Sequence, residues 1–366
     1  MSRIVQLANF YGPESGGLRT VVHRLSQGYR QCGHETILIV PGQTDADDAT
    51  AHGRRITIAS PLLPGGGGYR VIINRRRVES VLRALLPDRI EVSDKLSLTW
   101  VGGWGARHGV PAILLSHERL DAILAGRVPA FFPLATITDW WNRRIASRFD
   151  AVVCTSAFGA EEFDRIGHGT KRVSLGVDLD ELAPLPVRPH PGIELVTLGR
   201  LSAEKRPDLA LDALEVLRAE GVDARLTMIG SGPLRSALEA RASWLPVTFT
   251  GHVHDRDLLA GLLASADIGL APCPVEAFGL GVLETLACGI PVVVADAGGA
   301  PELINDRCGR AAAPTGPALA DAVRAVAALG ASDRRASARR RAERYPWAAT
   351  IEGMLAVHQL PAWTLA

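Results

Sequence analysis

Short apolar runs recur along this chain, and most lead into a glycine-bearing loop and then a segment of helical periodicity. In the first half they fall at residues 4–7, 36–40, 90–92, 112–115 and 151–155. In the second half they fall at 194–198, 225–229, 247–250, 268–271 and 292–295. A short apolar run bounded by turn signals fits a strand buried on both faces, as in a parallel sheet covered by helices. Strand–loop–helix units in series admit few arrangements, because crossovers between parallel strands are right-handed and the helices must cover the sheet. The series is interrupted once, where Pro184, Pro186, Pro189 and Pro191 make a stiff linker. The expected class is α/β, with two Rossmann-like doubly wound parallel-sheet domains, residues 1–183 and 192–346, joined by the linker 184–191. A chain of 366 residues has room for both.

In such sheets ligands gather beyond the carboxyl ends of the strands. The stretch from Cys273 to Pro291 lies between two apolar runs, and its helix, expected over 280–288, is stopped by Gly289 and Pro291. Gly279 and Gly281 leave backbone N–H groups open at the start of that helix, an arrangement suited to phosphate. Glu276 precedes the helix and Glu284 lies about one turn into it. Arg200 and Lys205 share the loop after 194–198, and both are cations able to reach a diphosphate. Fixed positive groups and the helix dipole together stabilise negative charge on a phosphate ligand. In the first half, the loop from Asn9 to Gly17 opens the helix at 18–31, and His117 follows the run at 112–115 with Glu118 and Arg119 beside it. The first loop lacks the Gly-x-Gly-x-x-Gly spelling, so a nicotinamide cofactor is not favoured.

The composition closes off other classes. A net charge of +1 gives no support to nucleic-acid binding. Five scattered cysteines, none in a Cys-x-x-Cys pair, argue against zinc and fit a reduced cytosol. No signal peptide and no bilayer-spanning run is expected, and the expected location is cytoplasmic. Asp-x-Asp is spelled at 45–47, 178–180 and 255–257, and all three are expected to be loop or cap acids, with no metal bound. Residues 45–51 read as an acidic loop, and Gly65 to Gly68 as a mobile one. Residues 70–82 mix Arg70, Arg75, Arg76 and Arg77 with aliphatic side chains. They read either as an ordinary surface helix or as a contact with anionic lipid on the inner face of the plasma membrane.

Gly16-Gly17, His117, Gly176-Val177-Asp178, Gly199-Arg200-Leu201, Glu204-Lys205, Gly230-Ser231-Gly232-Pro233, Glu276-x7-Glu284 and Gly298-Gly299 occur in an order that resembles the retaining GT-B glycosyltransferases of family 4. The loop at 9–20, Ser116-His117-Glu118-Arg119-Leu120 and residues 161–167 look like actinobacterial α-mannosyltransferases of the phosphatidylinositol-mannoside type. The resemblance implies two domains facing each other across a cleft, with the last helix, 347–366, crossing back to the first. It implies transfer of a hexose, mannose from GDP-mannose, to a lipid-linked or small-molecule acceptor hydroxyl, with no cofactor or metal and no nucleic-acid partner. By residue, it implies that Arg200 and Lys205 clamp the diphosphate, that Glu276 bonds sugar hydroxyls, and that Glu284 bonds the ribose. His117 is implied to lie by the reacting centre. Phe278, Gly279, Leu280 and Gly281 are implied to touch sugar and phosphate through their backbone, and Gly16 and Gly17 to cover the phosphate. Guanine is expected near Gly230, Gly232, Pro233, His252 and Val253. No side chain is an obvious enzymic nucleophile, so a front-face route is implied in place of a two-carboxylate scheme, along with domain closure that keeps water out. Two alternatives stay open: a UDP-sugar donor with a natural-product acceptor, and a non-catalytic nucleotide-sugar-binding protein.

Overall fold

The structure, a computed structural model, describes residues 1–12, 16–64, 68–125, 128–129, 131–186 and 190–362. Gly65, Gly66 and Gly67 of the glycine run, and part of the proline-rich linker, lie outside the described residues. The chain divides into two compact units, Met1–Ser174 with Trp347–Ala366, and Leu175–Pro346. The division falls ahead of the linker expected at 184–191, so residues 175–183 belong with the second unit. The last helix belongs with the first.

The first unit holds an eight-stranded sheet. Its strands are β1 (Arg3–Leu7), β2 (Glu35–Gly42), β3 (Ala46–Thr50), β4 (Gly53–Ala59), β5 (Arg89–Val92), β6 (Ala112–Ser116), β7 (Ala151–Cys154) and β8 (Lys171–Arg172), in the order β3-β4-β2-β1-β5-β6-β7-β8. All neighbours are parallel except β3 and β4. The order reverses between β1 and β5, so the loops leaving these two strands flank a switch point. Helices α1 (Gly17–Gln31), α2 (Arg75–Leu85), α3 (Trp100–His108), α4 (Leu120–Ala125), α5 (Leu134–Ala146) and α6 (Ala157–Asp164) connect the strands. The Ser156 side chain caps α6 by accepting from the Gly159 N–H, as its position before the helix predicts.

The second unit has a six-stranded, wholly parallel sheet of β9 (Ile193–Leu198), β10 (Ala224–Ile229), β11 (Val247–Gly251), β12 (Ile268–Ala271), β13 (Val292–Ala295) and β14 (Gly309–Ala312), ordered β11-β10-β9-β12-β13-β14. Its helices are α7 (Asp208–Ala219), α8 (Arg235–Arg241), α9 (Arg256–Ala264), α10 (Leu280–Ala287), α11 (Gly316–Ala327) and α12 (Ala331–Ala342). Here the order reverses between β9 and β12. The final helix, α13 (Trp347–Val357), packs with the first unit, where Gly28 of α1 and Gly353 of α13 leave space for Ile351 and Val173.

One expectation is corrected, and the packing of two further segments bears on the reading. Residues 45–51 are not a loop: β3 is an edge strand antiparallel to β4, held by Arg54–Asp47 and Arg55–Asp48 ion pairs instead of an apolar face. The segment 70–82 does not offer an apolar face to lipid. Val71, Ile72, Val78, Val81 and Leu82 are buried in the first unit, leaving only Ile73 exposed among its aliphatic residues. Its arginines do remain outside; Arg75 pairs with Glu79 and lies over the Trp100 ring, and Arg77 pairs with Asp45. The glycines of α3 lie inside the helix. They are packing glycines: a Cβ on Gly102 or Gly105 would come within 2.4 or 2.5 Å of the Arg148 and Val110 carbonyl oxygens.

Candidate active site

The second unit gathers its expected residues at the carboxyl ends of β9, β10, β11 and β12, around the switch point. The loop after β10 is laced to the loop after β9. The Leu201 N–H donates to the Ser231 carbonyl at 2.9 Å, and the Leu234 N–H donates to the Leu201 carbonyl at 2.9 Å. This closeness requires glycine. A Cβ on Gly230 would stand 1.9 Å from the Gly199 oxygen, and one on Gly232 would stand 2.4 Å from that of Leu201. These glycines therefore shape the crevice wall by letting two backbones meet. The Gly230 N–H in turn donates to the Gly251 carbonyl, which sets the exposed-side residues His252 and Val253 beside the same wall, with Pro233 exposed at its rim.

The loop from β12 to α10 supplies the other wall. Gly279 takes a left-handed conformation (φ 104°) to start α10, and a Cβ on Gly281 would come 2.8 Å from the Leu198 oxygen at the end of β9. So the first turn of α10 abuts the central strand; the Val282 and Leu283 N–H groups bond to the Gly279 carbonyl, and those of Leu280 and Gly281 precede any acceptor within the helix. Phe278 is buried beneath it, and Leu280 is half-buried. The Gly299 N–H donates to the Glu276 carbonyl at 2.6 Å, pinning the backbone that carries the first carboxylate.

Two ion pairs organise the polar side chains. Lys205 Nζ lies 2.6 Å from Glu276 Oε2, joining the β9 and β12 loops across the switch point. Burial works against the Lys205 ammonium, but the Glu276 carboxylate, with a smaller contribution from Cys273, outweighs it and raises the pKa above the usual lysine range. Burial pushes the neighbouring Cys273 thiol up to about 11, and its S–H is directed at the Glu204 carbonyl. Glu284 accepts from Arg256 Nη1 at 3.0 Å, and the same guanidinium reaches Glu181 at 3.1 Å. Burial raises the Glu284 pKa against the pull of Arg256. Arg200 is half-buried in the same loop as Lys205. Sequence reasoning missed Arg256, which stands between the two acids of an Asp-x-Asp spelling. That spelling has another use: Asp255 caps α9, accepting from the Asp257 and Leu258 N–H groups. Asp178 likewise holds a turn, and Asp45 and Asp47 pair with arginines.

In the first unit, Gly16 and Gly17 are exposed at the start of α1, where the Thr20 N–H donates to Gly16. His117 follows β6. Burial lowers its pKa to about 4, so the ring is neutral at pH 7, and its Nε2 is enclosed with no hydrogen-bond partner among the described residues. The loop carrying His117 is clamped from below. Lys95 and Glu162 form a buried ion pair. Lys95 also donates to the Glu118 carbonyl at 2.7 Å, and Glu162 accepts from the Leu120 N–H at 3.3 Å and from Asn142 at 3.0 Å. Neither residue was singled out from sequence, since a charge on a strand end or a helix face gives no sign that it is buried.

Two doubly wound sheets, the second with a cation–carboxylate pair and a glycine-opened helix terminus at its switch point, define an α/β protein of the class that binds ligands beyond its strand ends. The comparisons place it more closely. The model for "Glycosyltransferase Family 4" matches residues 15–181, and that for "Glycosyl transferases group 1" matches residues 192–328. The GDP-mannose-dependent alpha-(1-6)-phosphatidylinositol dimannoside mannosyltransferase of Mycobacterium tuberculosis is 47% identical over 364 residues, covering 97% of this chain and 95% of that one. A GDP-mannose-dependent alpha-mannosyltransferase of Mycolicibacterium smegmatis is 30% identical over 321 residues, 82% of each chain. The sucrose-phosphate synthase structure from Thermosynechococcus elongatus superposes with a TM-score of 0.79 at 20% identity, covering 98% of both chains, a likeness of fold. The chain belongs to the family 4 glycosyltransferases and has the GT-B class of fold. Among the described residues no helix is long and apolar enough to cross a membrane.

Proposed function

We propose that this enzyme is a retaining α-mannosyltransferase that moves mannose from GDP-mannose to a hydroxyl of a mannosylated phosphoinositide glycolipid. The observation that carries this reading is the 47% identity, over nearly the whole chain, to an enzyme named for that donor and that acceptor class. The second unit supports the donor half. It offers phosphate an α10 N-terminus and the cations Lys205 and Arg200, and it offers sugar hydroxyls the Glu276 carboxylate 2.6 Å from Lys205. In the reading, Lys205 turns to the diphosphate when the donor binds, and Glu276 turns to the sugar. Glu284, steadied by Arg256, takes the ribose. These cations do the work of a metal, and we assign none. His117, Gly16 and Gly17 are the first unit's candidates for the reaction. Bond breaking and bond making occur on one face of the sugar, with the leaving phosphate accepting the acceptor's proton. Peripheral contact with anionic lipid at the inner face of the membrane is assigned to the charge of exposed Arg75, Arg76 and Arg77, not to an apolar insertion.

The test is incubation with GDP-mannose and phosphatidylinositol dimannoside, following GDP release and product mass with and without EDTA. Turnover with GDP-mannose that survives chelation is expected. Transfer from UDP-glucose and none from GDP-mannose would overturn the donor assignment.

A further inference from the structure

Beside α1, on the side of the first unit away from β5, lies a cavity of about 160 Å³ lined by Tyr11, Arg19, His23, His52, Arg54 and Arg55. Neither the family resemblance nor the reading above gives it a role. It forms where the β3–β4 hairpin meets α1. The hairpin tip is the two-residue turn Ala51-His52, and the Arg30 guanidinium on α1 holds it by donating to the Ala51 carbonyl at 3.1 Å. This places the His52 ring against the His23 ring, stacked with centroids 4.1 Å apart and planes 17° from parallel. His23 Nε2 is 2.8 Å from the Tyr11 hydroxyl, and the Arg19 guanidinium stands 5.8 Å from the Tyr11 ring centre. Gly53, next to His52, has a left-handed φ of 115°, and a Cβ there would press on Thr36 Oγ1 at 2.9 Å.

Among the described residues, the cavity lining carries Arg19, Arg54 and Arg55 and no carboxylate. On β3, Asp47 and Asp48 face Arg54 and Arg55 and pair with them. Arg55 keeps one enclosed donor, Nε–H, with no acceptor among the described residues. The fixed charges that act most on His23 are Arg19 and Arg55, and those that act most on His52 are Arg19, Arg24 and Arg30, all of them arginines. Burial and these cations lower the His23 pKa to about 4 and lower that of His52. Two imidazoles held neutral against each other in a ring of guanidinium groups form a site that gains from an oxyanion. Such an anion accepts from arginine forks and lets the imidazoles take up protons.

We propose that this cavity is a phosphate-binding subsite, taking a phosphate mono- or diester through Arg19, Arg55, His23 and His52. It is separate from the donor site in the second unit, and the proposal stands whether or not the donor is GDP-mannose. The ligand chemistry is shared by a phospholipid headgroup and by free phosphate. A merely structural role, anchoring the hairpin to α1, is met by the aspartate pairs and by the Arg30–Ala51 bond, and needs neither Arg19 nor the stacked rings.

The experiment follows the imidazole C2 protons of the full-length protein by NMR, with His23 and His52 assigned by the signals lost in His23→Gln and His52→Gln. Inorganic phosphate and glycerophosphoinositol are titrated separately at pH 6.5, in protein already saturated with GDP so that the donor site is filled. Both resonances are expected to shift in a saturable way. The His23 apparent pKa should rise, and binding should tighten as pH falls from 8 to 6 for the diester. Arg19→Ala, checked for an unchanged melting temperature, should weaken binding about tenfold, as expected for loss of one charge-assisted bond. Tighter binding of glycerophosphoinositol identifies a lipid headgroup as the source, and tighter binding of inorganic phosphate identifies free phosphate; either supports the subsite. Wild-type His23 and His52 signals that stay fixed through tens of millimolar of both ligands would overturn it. So would a response undiminished in Arg19→Ala.

Discussion

Glu276→Gln keeps the shape of the side chain and removes its charge, so it separates two effects that the Lys205–Glu276 pair combines. The first is on the ligand-free protein. At 2.6 Å, two unit charges attract by about 6 kcal/mol for an effective dielectric near 20. That is an upper figure here. The Lys205 side chain is 35% exposed and that of Glu276 is 23% exposed. Solvent screening and the cost of desolvation reduce the net contribution to about 1 kcal/mol, the upper end of what exposed pairs show. In the variant Lys205 no longer has that partner to give up when a diphosphate arrives, so GDP should bind as well as before or up to about fivefold more tightly. The second effect is on the reaction. A carboxylate bonded to a hydroxyl of the transferred sugar contributes about 1.5–3 kcal/mol, and if that bond strengthens as the ring gains positive charge, its loss lowers turnover about 10- to 150-fold. Calorimetry with GDP and saturation kinetics with GDP-mannose measure the two separately. If Glu276→Gln weakens GDP binding by the same factor as it lowers turnover, Glu276 does not touch the sugar and the assignment is wrong.

Glu284→Gln should behave oppositely, weakening GDP binding by about 0.5–3 kcal/mol with a smaller change in saturated turnover, and Arg256→Ala should weaken GDP binding alongside it; calorimetry on both variants tests this. Glu162→Gln leaves the Lys95 ammonium buried without its carboxylate and should cost about 3–5 kcal/mol of stability, read from urea unfolding. The product should keep the α configuration of the donor, seen in the coupling of its anomeric carbon and proton, and an inverted product would remove the retaining mechanism. For pH, Glu91 is fully buried. Burial alone would raise its pKa, but bonds from His358 at 2.7 Å, Tyr29 and Gln6 bring it below the ordinary value. Its contribution is therefore complete above about pH 4.5 and lost as pH falls through its lower folded value. Thermal melts from pH 6 to 3 should show this loss in the wild type and a flatter profile in Glu91→Gln.

Much of the fold was legible because its signals are local. The apolar runs at 268–271 and 292–295 became β12 and β13 with the same bounds. An unbroken apolar run must be buried on both sides, and a parallel strand is the short way to do that. The elements that were missed draw their stability from partners distant in sequence or from atoms that are not there. β3 is polar because cross-strand arginines hold it, and α3, which went unread, uses its glycines to let the Arg148 and Val110 carbonyls come close. The apolar stripe of α2 was visible, but periodicity shows only that a stripe exists and not whether protein or lipid covers it.

The candidate site divides along the same line. Glycines and a Glu-x7-Glu spacing mark a loop and the start of a helix, which is local information, and the residues they marked stand on the loop before α10 and on its first turns. What spacing does not reveal is pairing between loops. Lys205 and Glu276 were read separately, one for phosphate and one for sugar, yet in the structure each is the other's nearest partner, 71 positions apart. The two readings are compatible only if the donor exchanges one set of partners for another. An ammonium and a carboxylate already in contact present a positive and an acceptor group to a ligand that carries phosphate next to hydroxyls. Neither charge then waits unpaired in a half-buried crevice, where it would be costly. On this argument the pair holds the site ready, and a binding step that must break it has a sign that can be measured: Lys205→Met should weaken GDP binding even though Glu276→Gln does not.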